Sequence, residues 1–239
     1  MDEQHKPIAD FYNQQYHGDS KSAAPSNHLR HLCQKLEVTG EQKVLDIACG
    51  KGTWLEVCHQ QGAQVSGIDI SSKAIAACQQ LIPDGDFRCQ PAEILPYEDR
   101  SFDLITCLGS LEHFLDQEQA ISEMARVAKA DAKIVILVPN SGFLTYRLGL
   151  YTGTQQQAVR ETIRSLDEWR EMMEGNNLIV EKRWKDLHIL DRSWIFRRPY
   201  ITTPLRAAQA FVLPFWPLTW QYQVYHLCRP TSCKNHISS

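Results

Sequence analysis

Hydrophobic positions change their period several times along the chain. Leu29, Leu32, Cys33 and Leu36 recur at i, i+3, i+4 and i+7, which predicts an amphipathic helix. Lys43–Ala48 is a short apolar run that ends in Cys49-Gly50-Lys51-Gly52, a strand feeding a tight turn. Thr53–Gln61 then reads as a helix closed by Gly62, and Gln64–Ile70 as a second strand. Ser71 is the expected N-cap of a helix to Leu81, and Pro83-Asp84-Gly85 breaks it. Further strands are expected at Asp86–Gln90, Phe102–Leu108, Lys133–Val138, Leu178–Trp184 and Gln221–Leu227. Helices are expected at Asp116–Lys129 and, behind the capping box Ser165-Leu-Asp-Glu168, at Ser165–Gly175. Strands alternating with helices imply right-handed crossovers and a mostly parallel sheet covered on both faces.

Composition changes this picture little. The 239 residues carry 43% hydrophobic and 22% charged positions, ordinary for one α/β domain. A net charge of −3 argues against nucleic-acid binding through overall charge. The polar, acidic start Met1-Asp-Glu-Gln-His-Lys lacks the pattern of a signal peptide, so a cytoplasmic location is expected. Eight cysteines without a C-x-x-C pair then read as reduced, mostly small apolar core residues. Cys228 and Cys233, with His226 and His236 nearby, fit no common zinc spacing, and no metal site is expected. The most apolar run, Ala207–Trp220, is broken by Gln209, Pro214 and Pro217 and is too short to cross a bilayer.

The chemistry begins at the glycine turn. Asp46-x-x-Cys49-Gly50-x-Gly52 follows a strand and opens a helix, where small residues let backbone N–H groups approach a ligand. The turn lacks the third glycine of a dinucleotide fingerprint, because Leu55 stands there, and it lacks a Walker Gly-Lys-Ser/Thr. Asp69 ends the second strand, 17 residues beyond Gly52, where an acid can accept both hydroxyls of a ribose.

Four segments occur in order: Val44-Leu-Asp-Ile-Ala-Cys-Gly-Lys-Gly-Thr53, Gly67-Ile-Asp-Ile-Ser71, Ala92-Glu-Ile-Leu-Pro-Tyr97 and Ser101-Phe-Asp-Leu-Ile-Thr-Cys-Leu-Gly-Ser-Leu-Glu-His113. Together they resemble the class I S-adenosylmethionine-dependent methyltransferases, over roughly residues 43–140. The resemblance implies a Rossmann-like, doubly wound, mostly parallel seven-stranded sheet with one antiparallel strand near the edge. It implies S-adenosyl-L-methionine as cofactor, with Asp46 and the turn Ala48, Cys49, Gly50 and Gly52 around its methionine end. Asp69 would take the ribose hydroxyls, Ile70 would lie against adenine, Ala92 and Glu93 would border the adenine edge, and Leu108 would face the cofactor. Two positions depart from the family pattern: Ala48 replaces the first glycine of the turn, and Pro91 stands where an aspartate often reaches the adenine amine.

Methyl transfer is an in-line displacement from an activated sulfonium carbon, so the protein mainly aligns a nucleophile and, in some enzymes, removes a proton. His113 is the candidate base; packing in the turn is the competing role. The Glu-x-x-Glu-His metal run of quinone-type enzymes lacks its first carboxylate here, since Gly109-Ser-Leu precedes Glu112-His113.

On this reading residues 1–42 form a helical lid carrying Phe11, Tyr12 and Tyr16. Residues 43–239 form the methyltransferase domain, with 140–164 and 185–220 as substrate-side insertions. Residues 182–206 hold seven Lys/Arg against two Asp, interleaved with Trp184, Trp194, Phe196 and Tyr200. That mixture suits either a solvated surface over packed aromatics or a site for an anionic group with an apolar body. Ala207–Trp220 reads as core packing or a dimer contact, with a hydrophobic tunnel or peripheral membrane contact as the sharper alternative. The expected activity is methyl transfer to O or N of a small-molecule acceptor, hydrophobic or anionic. The second hypothesis is an accessory protein of the same fold that binds the cofactor or a partner without turnover.

Overall fold

A computed structural model describes residues 3–16, 24–143, 147, 161–188, 195, 196 and 200–231. Arg192, Trp194, Arg197, Arg198, Cys233 and His236, and most of 144–160, lie outside the described residues. The strands are β1 Lys43–Ile47, β2 Gln64–Asp69, β3 Asp86–Cys89, β4 Phe102–Leu108, β5 Ala128–Pro139, β6 Leu178–Lys185 and β7 Gln223–Pro230. They form one seven-stranded sheet in the order β3-β2-β1-β4-β5-β7-β6. β1 to β5 pair in parallel, and β7 runs antiparallel to β5 and to β6. The expected antiparallel strand is therefore β7, one place in from the edge.

The helices are α1 His5–Phe11, extended by a wider turn over Tyr12–Tyr16, α2 Asn27–Leu36, α3 Thr53–Gln60, α4 Ser72–Leu81, α5 Gln117–Val127, α6 Leu166–Gly175 and α7 Thr203–Val212. Ser26, Ser71, Asp116 and Ser165 accept backbone N–H bonds at the starts of α2, α4, α5 and α6, and the Ser165–Glu168 box is complete. Side chains alternate across the strands. Leu45, Ile47, Ile105, Ile134 and Ile136 pack under α5 and α6, whereas Val44, Leu104, Val135 and Leu137 pack under α2, α3 and α4.

Two boundaries differ from the sequence pattern. β5 starts at Ala128, directly after α5, because Phe102 pairs with Ala128 before a register shift brings Leu104 opposite Lys133. Helix α5 accordingly stops at Val127 rather than Lys129. The last strand begins at Gln223, not Gln221, because the buried Asn140 side chain holds the preceding turn. It donates to the Thr219 carbonyl at 2.8 Å and to the Gln221 carbonyl at 3.0 Å. Both bonds sit where β5 ends, so residues 218–222 are fastened to the edge of the sheet at which β1, β2, β4 and β5 all terminate.

Candidate functional site

A cavity of about 330 Å³ opens at that edge, lined by the ends of β1, β2 and β4 and roofed by α1. Asp46, Ala48, Cys49, Gly50, Asp69, Ile70, Ala92, Glu93, Leu108 and His113 all line it. Gly52 lies outside the lining. It turns the chain into α3 with φ +78°, and a Cβ there would meet Cys78 Sγ at 3.0 Å. Ala48 itself holds φ +57° and Gly50 +54°, so the turn winds left-handed where an L side chain costs about 1 kcal/mol. Pro91 also lines the cavity, and neighbouring Gln90 fixes its backbone by donating to the Asp69 carbonyl at 3.1 Å.

The two aspartates are the electrostatic centre. Asp69 accepts from the Gly50 N–H at 2.9 Å and the Ser71 N–H at 2.8 Å, tying the glycine turn to the end of β2. One oxygen takes each bond, which leaves further lone pairs for a ligand. Burial pushes the Asp69 carboxyl up to about 6 although the Ser71, Gly50 and Ile70 backbone bonds favour its ionised form. Asp46 is pushed up to about 7 by burial, against the Thr106 hydrogen bond, with the charge of Asp69 adding to the rise. Among the described residues neither carboxylate pairs with a Lys or Arg. Two buried carboxyls that no Lys or Arg pairs with among the described residues gain from a cationic ligand, which favours their ionised forms.

Thr106, which the sequence reading passed over, anchors this centre. It is fully buried, stands opposite Asp46 in the β1–β4 register, donates to Asp46 Oδ1 at 2.6 Å and accepts from Trp54 Nε1 at 3.0 Å. A hydroxyl inside the otherwise apolar Leu104–Leu108 run was the available signal.

Glu93 sits at the cavity wall, but its carboxylate serves the protein. Oε1 accepts from the Leu115 and Asp116 N–H groups at 3.0 and 3.2 Å, and Oε2 lies 3.4 Å from His5 Nε2 on α1. Helix α1 brings His5, Ile8 and Tyr12 to the cavity, and Asn13 Oδ1 accepts from Ser71 Oγ at 2.8 Å and the Lys73 N–H at 3.2 Å. The N-terminal segment thus covers the cavity and is seated on the β2–α4 corner.

A second chamber of about 500 Å³ adjoins the first and shares Ile8, His113, Phe114 and Leu115 with it. Its far wall includes Gln117, Thr162, Arg164 and Met172. Residues 162–164 are held there by the Thr162 N–H bond to the Glu112 carbonyl at 2.9 Å and by Arg164 donating to Gln117 at 2.9 Å. His113 therefore stands between two spaces. Its neighbour Glu112 is buried with its carboxyl pushed up to about 8, principally by burial, and lines neither chamber.

The end of β6 carries a polar cluster absent from the sequence reading. Buried Asp186 contacts His188 Nδ1 and lies 3.2 Å from His28 Nε2, which in turn is 2.9 Å from the Tyr225 hydroxyl. Burial pulls the His188 imidazole down, but the Asp186 hydrogen bond and charge outweigh it and leave its pKa raised. These contacts, with Trp184 stacked on Tyr225 at 5.1 Å, moor the start of the 185–220 segment to α2 and β7.

A doubly wound sheet with a glycine turn after β1, an acid after β2 and a ligand-sized cavity above both is the arrangement in which open α/β sheets receive nucleotide-type ligands. A methyltransferase-domain family model matches residues 45–136. An uncharacterized methyltransferase, YcgJ of Bacillus subtilis, is 29% identical over 196 residues, covering 77% of this chain and 76% of that one. The ubiquinone biosynthesis O-methyltransferase of Coxiella burnetii is 35% identical over 130 residues, and the match spans 52% of this chain and about half (53%) of that enzyme. The geranyl diphosphate C-methyltransferase of Streptomyces coelicolor, solved with S-adenosyl-L-homocysteine, shares the fold at TM-score 0.68 and 14% identity, covering 96% of this chain and 99% of that one. The family match over residues 45–136 and these relatives support membership of the class I S-adenosylmethionine-dependent methyltransferases.

Proposed function

We infer that this chain binds S-adenosyl-L-methionine in the smaller cavity and transfers its methyl group to O or N of a small-molecule acceptor entering from the larger one. The observation that carries this reading is the pair of buried carboxyls, Asp46 and Asp69, at the ends of adjacent strands, neither of which pairs with a Lys or Arg among the described residues. Asp46 and the Ala48–Gly52 turn would hold the ammonium and sulfonium end of the cofactor, and the remaining lone pairs of Asp69 would accept its ribose hydroxyls. Ile70 and Ala92 flank adenine; Glu93 shapes the wall through the Leu115 and Asp116 N–H groups rather than by direct contact. Leu108 lies beside the methyl-bearing end. When bound, the cofactor supplies an electrophilic methyl carbon.

His113 faces both spaces and takes the acceptor proton, while Phe114 and Leu115 keep water from the line of attack. Arg164 and Met172 give the acceptor chamber one cationic and one apolar contact, which fits an acceptor with an anionic group on an apolar body. Residues 1–42 act as the lid.

Calorimetric titration with S-adenosylhomocysteine tests the cofactor site. Wild type is expected to bind and Asp69→Ala to bind at least tenfold more weakly; a silent wild type or an unaffected variant overturns the assignment. Tight binding with no label transferred from methyl-labelled cofactor across a broad acceptor screen favours the accessory-protein reading instead.

A further inference from the structure

The larger chamber holds a guanidinium that the protein leaves without a counter-ion. Among the described residues that line it, Arg164 is the single Lys or Arg. Arg88, Arg126, Arg170, Arg183 and Arg229 each pair with a carboxylate. Arg164 is half-buried, yet forms no ion pair among the described residues. Its position is nonetheless fixed. The backbone bridges to Asn140, and its carbonyl accepts from the Ser141 N–H at 2.9 Å, which seats the residue beside the end of β5. Nη2 donates to the buried Gln117 at 2.9 Å, and Cζ lies 5.5 Å from the centre of the Trp169 ring. The Nε–H is buried without an acceptor, and Nη1 has no protein partner among the described residues. A partly desolvated cation with unused donors, already oriented, gains most from an anion brought by a ligand.

The other charges of the chamber decide which anion. Asp116 and Glu118 also line it, but both are exposed, and Asp116 Oδ1 is turned to the Gln119 N–H at 2.9 Å. Water screens these two carboxylates, so they weaken the attraction of Arg164 for one negative charge without cancelling it. A phosphate monoester carries about −1.5 to −2 charges; it would meet the same repulsion nearly doubled and find one cation. A carboxylate brings a single charge, and its two coplanar oxygens match the guanidinium fork.

Arg164 lines the second chamber alone, whereas His113 borders both. A carboxylate on Arg164 is therefore held away from the cofactor cavity and is not the group that receives the methyl. We propose that Arg164 selects acceptors bearing a carboxylate and that the methyl goes to a different O or N of the same molecule. This inference rests on the assignment of the two spaces to cofactor and acceptor. As the sulfur–methyl bond breaks, the acceptor heteroatom gains the methyl and gives its proton to His113; the carboxylate is unchanged, so the product is still an acid.

Titration of benzoate, benzamide and phenyl phosphate into protein saturated with S-adenosylhomocysteine, followed by NMR, tests the selection without turnover. Benzoate is expected to bind about tenfold more tightly than either of the others. Arg164→Gln is expected to bring benzoate down to the level of benzamide and to leave S-adenosylhomocysteine affinity unchanged, since Arg164 does not line the cofactor cavity. Arg164→Lys keeps the charge but not the fork and is expected to lose at least about threefold for benzoate, with benzamide unaffected; it carries the test if Arg164→Gln melts early. Three results overturn the proposal: benzamide or phenyl phosphate binding as tightly as benzoate, a benzoate preference that survives the loss of Arg164, or no probe bound by protein that holds S-adenosylhomocysteine. Failure of S-adenosylhomocysteine itself to bind overturns the cofactor assignment instead, and the benzoate–benzamide comparison on the free protein then decides the role of Arg164.

Discussion

Replacing Thr106 by valine keeps the shape of the side chain and removes one hydroxyl from the Trp54–Thr106–Asp46 chain. Two costs follow. The buried Trp54 N–H loses its acceptor, worth about 1–3 kcal/mol, and Asp46 loses a hydrogen bond that favours its charged form, worth about 1.5–3 kcal/mol while it is ionised. Asp46 escapes part of the second cost by taking up a proton, because its pKa already stands at about 7 and the lost bond was what held it down. The expected total near pH 8 is about 2–4 kcal/mol, a fall of roughly 5–15 °C in melting temperature for a domain of this size. At pH 5 the carboxyl is protonated in both proteins, so the second cost largely disappears and the penalty shrinks toward that of the Trp54 N–H alone. Thr106→Ser, which keeps the hydroxyl, is expected to lose only about 1 kcal/mol from the missing methyl. Thermal and urea unfolding at pH 5 and pH 8 read all three proteins. A Thr106→Val penalty below 1 kcal/mol, or one that grows as pH falls, refutes the chain as the support of Asp46.

Asp69→Asn is expected to weaken S-adenosylhomocysteine binding by about 1.5–3 kcal/mol, roughly 10- to 150-fold, because charge-assisted bonds become neutral; calorimetric affinities within threefold of wild type would remove its ligand role. Gly67→Ala places a Cβ 2.8 Å from Cys49 Sγ and 2.9 Å from Leu55 Cδ1, so it should cost about 1–3 kcal/mol in urea unfolding and disturb ligand binding through the turn; a neutral variant would mean the packing there is loose. His226 is fully buried and pushed down to about 4, chiefly by burial. The unfolded chain therefore binds the extra proton between about pH 6.5 and 4, stability falls as pH drops through that window, and His226→Leu should lessen the loss in a series of melts. Glu112 behaves oppositely: raised to about 8, it favours the folded state at low pH and loses that advantage as pH rises from about 4 to 8. Glu112→Gln should match wild type near pH 5 and exceed it in melting temperature near pH 9.

The succession of strands and helices along the chain and the end of the sheet at which the cavity opens were readable because they rest on local signals. Apolar runs of period two, Ser and Asp caps, and a turn at residues 48–52 each act within a few residues. The acid at the end of β2 was readable for the same reason, since Asp69 sits at a fixed step beyond the turn. Thr106 was not, because its importance comes from standing opposite Asp46 sixty residues earlier, a relation only sheet register creates. Glu93 illustrates the converse: its place at the wall was legible, but its bonds to the Leu115 and Asp116 N–H groups depend on how the chain returns after β4. The early start of β5 is similar, because Ala128–Ala132 has little apolar pattern and extends through pairing across the register shift. The hydrophobicity of α7 was visible in the sequence, but the exposure of Phe211 on it is a tertiary fact.

The placement of β7 has a consequence for how this chain reaches its native state. Among the described residues β6 pairs only with β7, and only β7 closes the outer edge of β5. Until residues 223–230 arrive, Ile134–Val138 presents an unpaired apolar edge, and β6 has no sheet to join. Every other neighbouring pair is complete by residue 139, so synthesis passes through a long stage with a five-stranded sheet and one sticky border. Such a border recruits foreign strands as readily as its own. Weakening β7 should therefore show first as poor recovery of soluble protein and only then as a lower melting temperature.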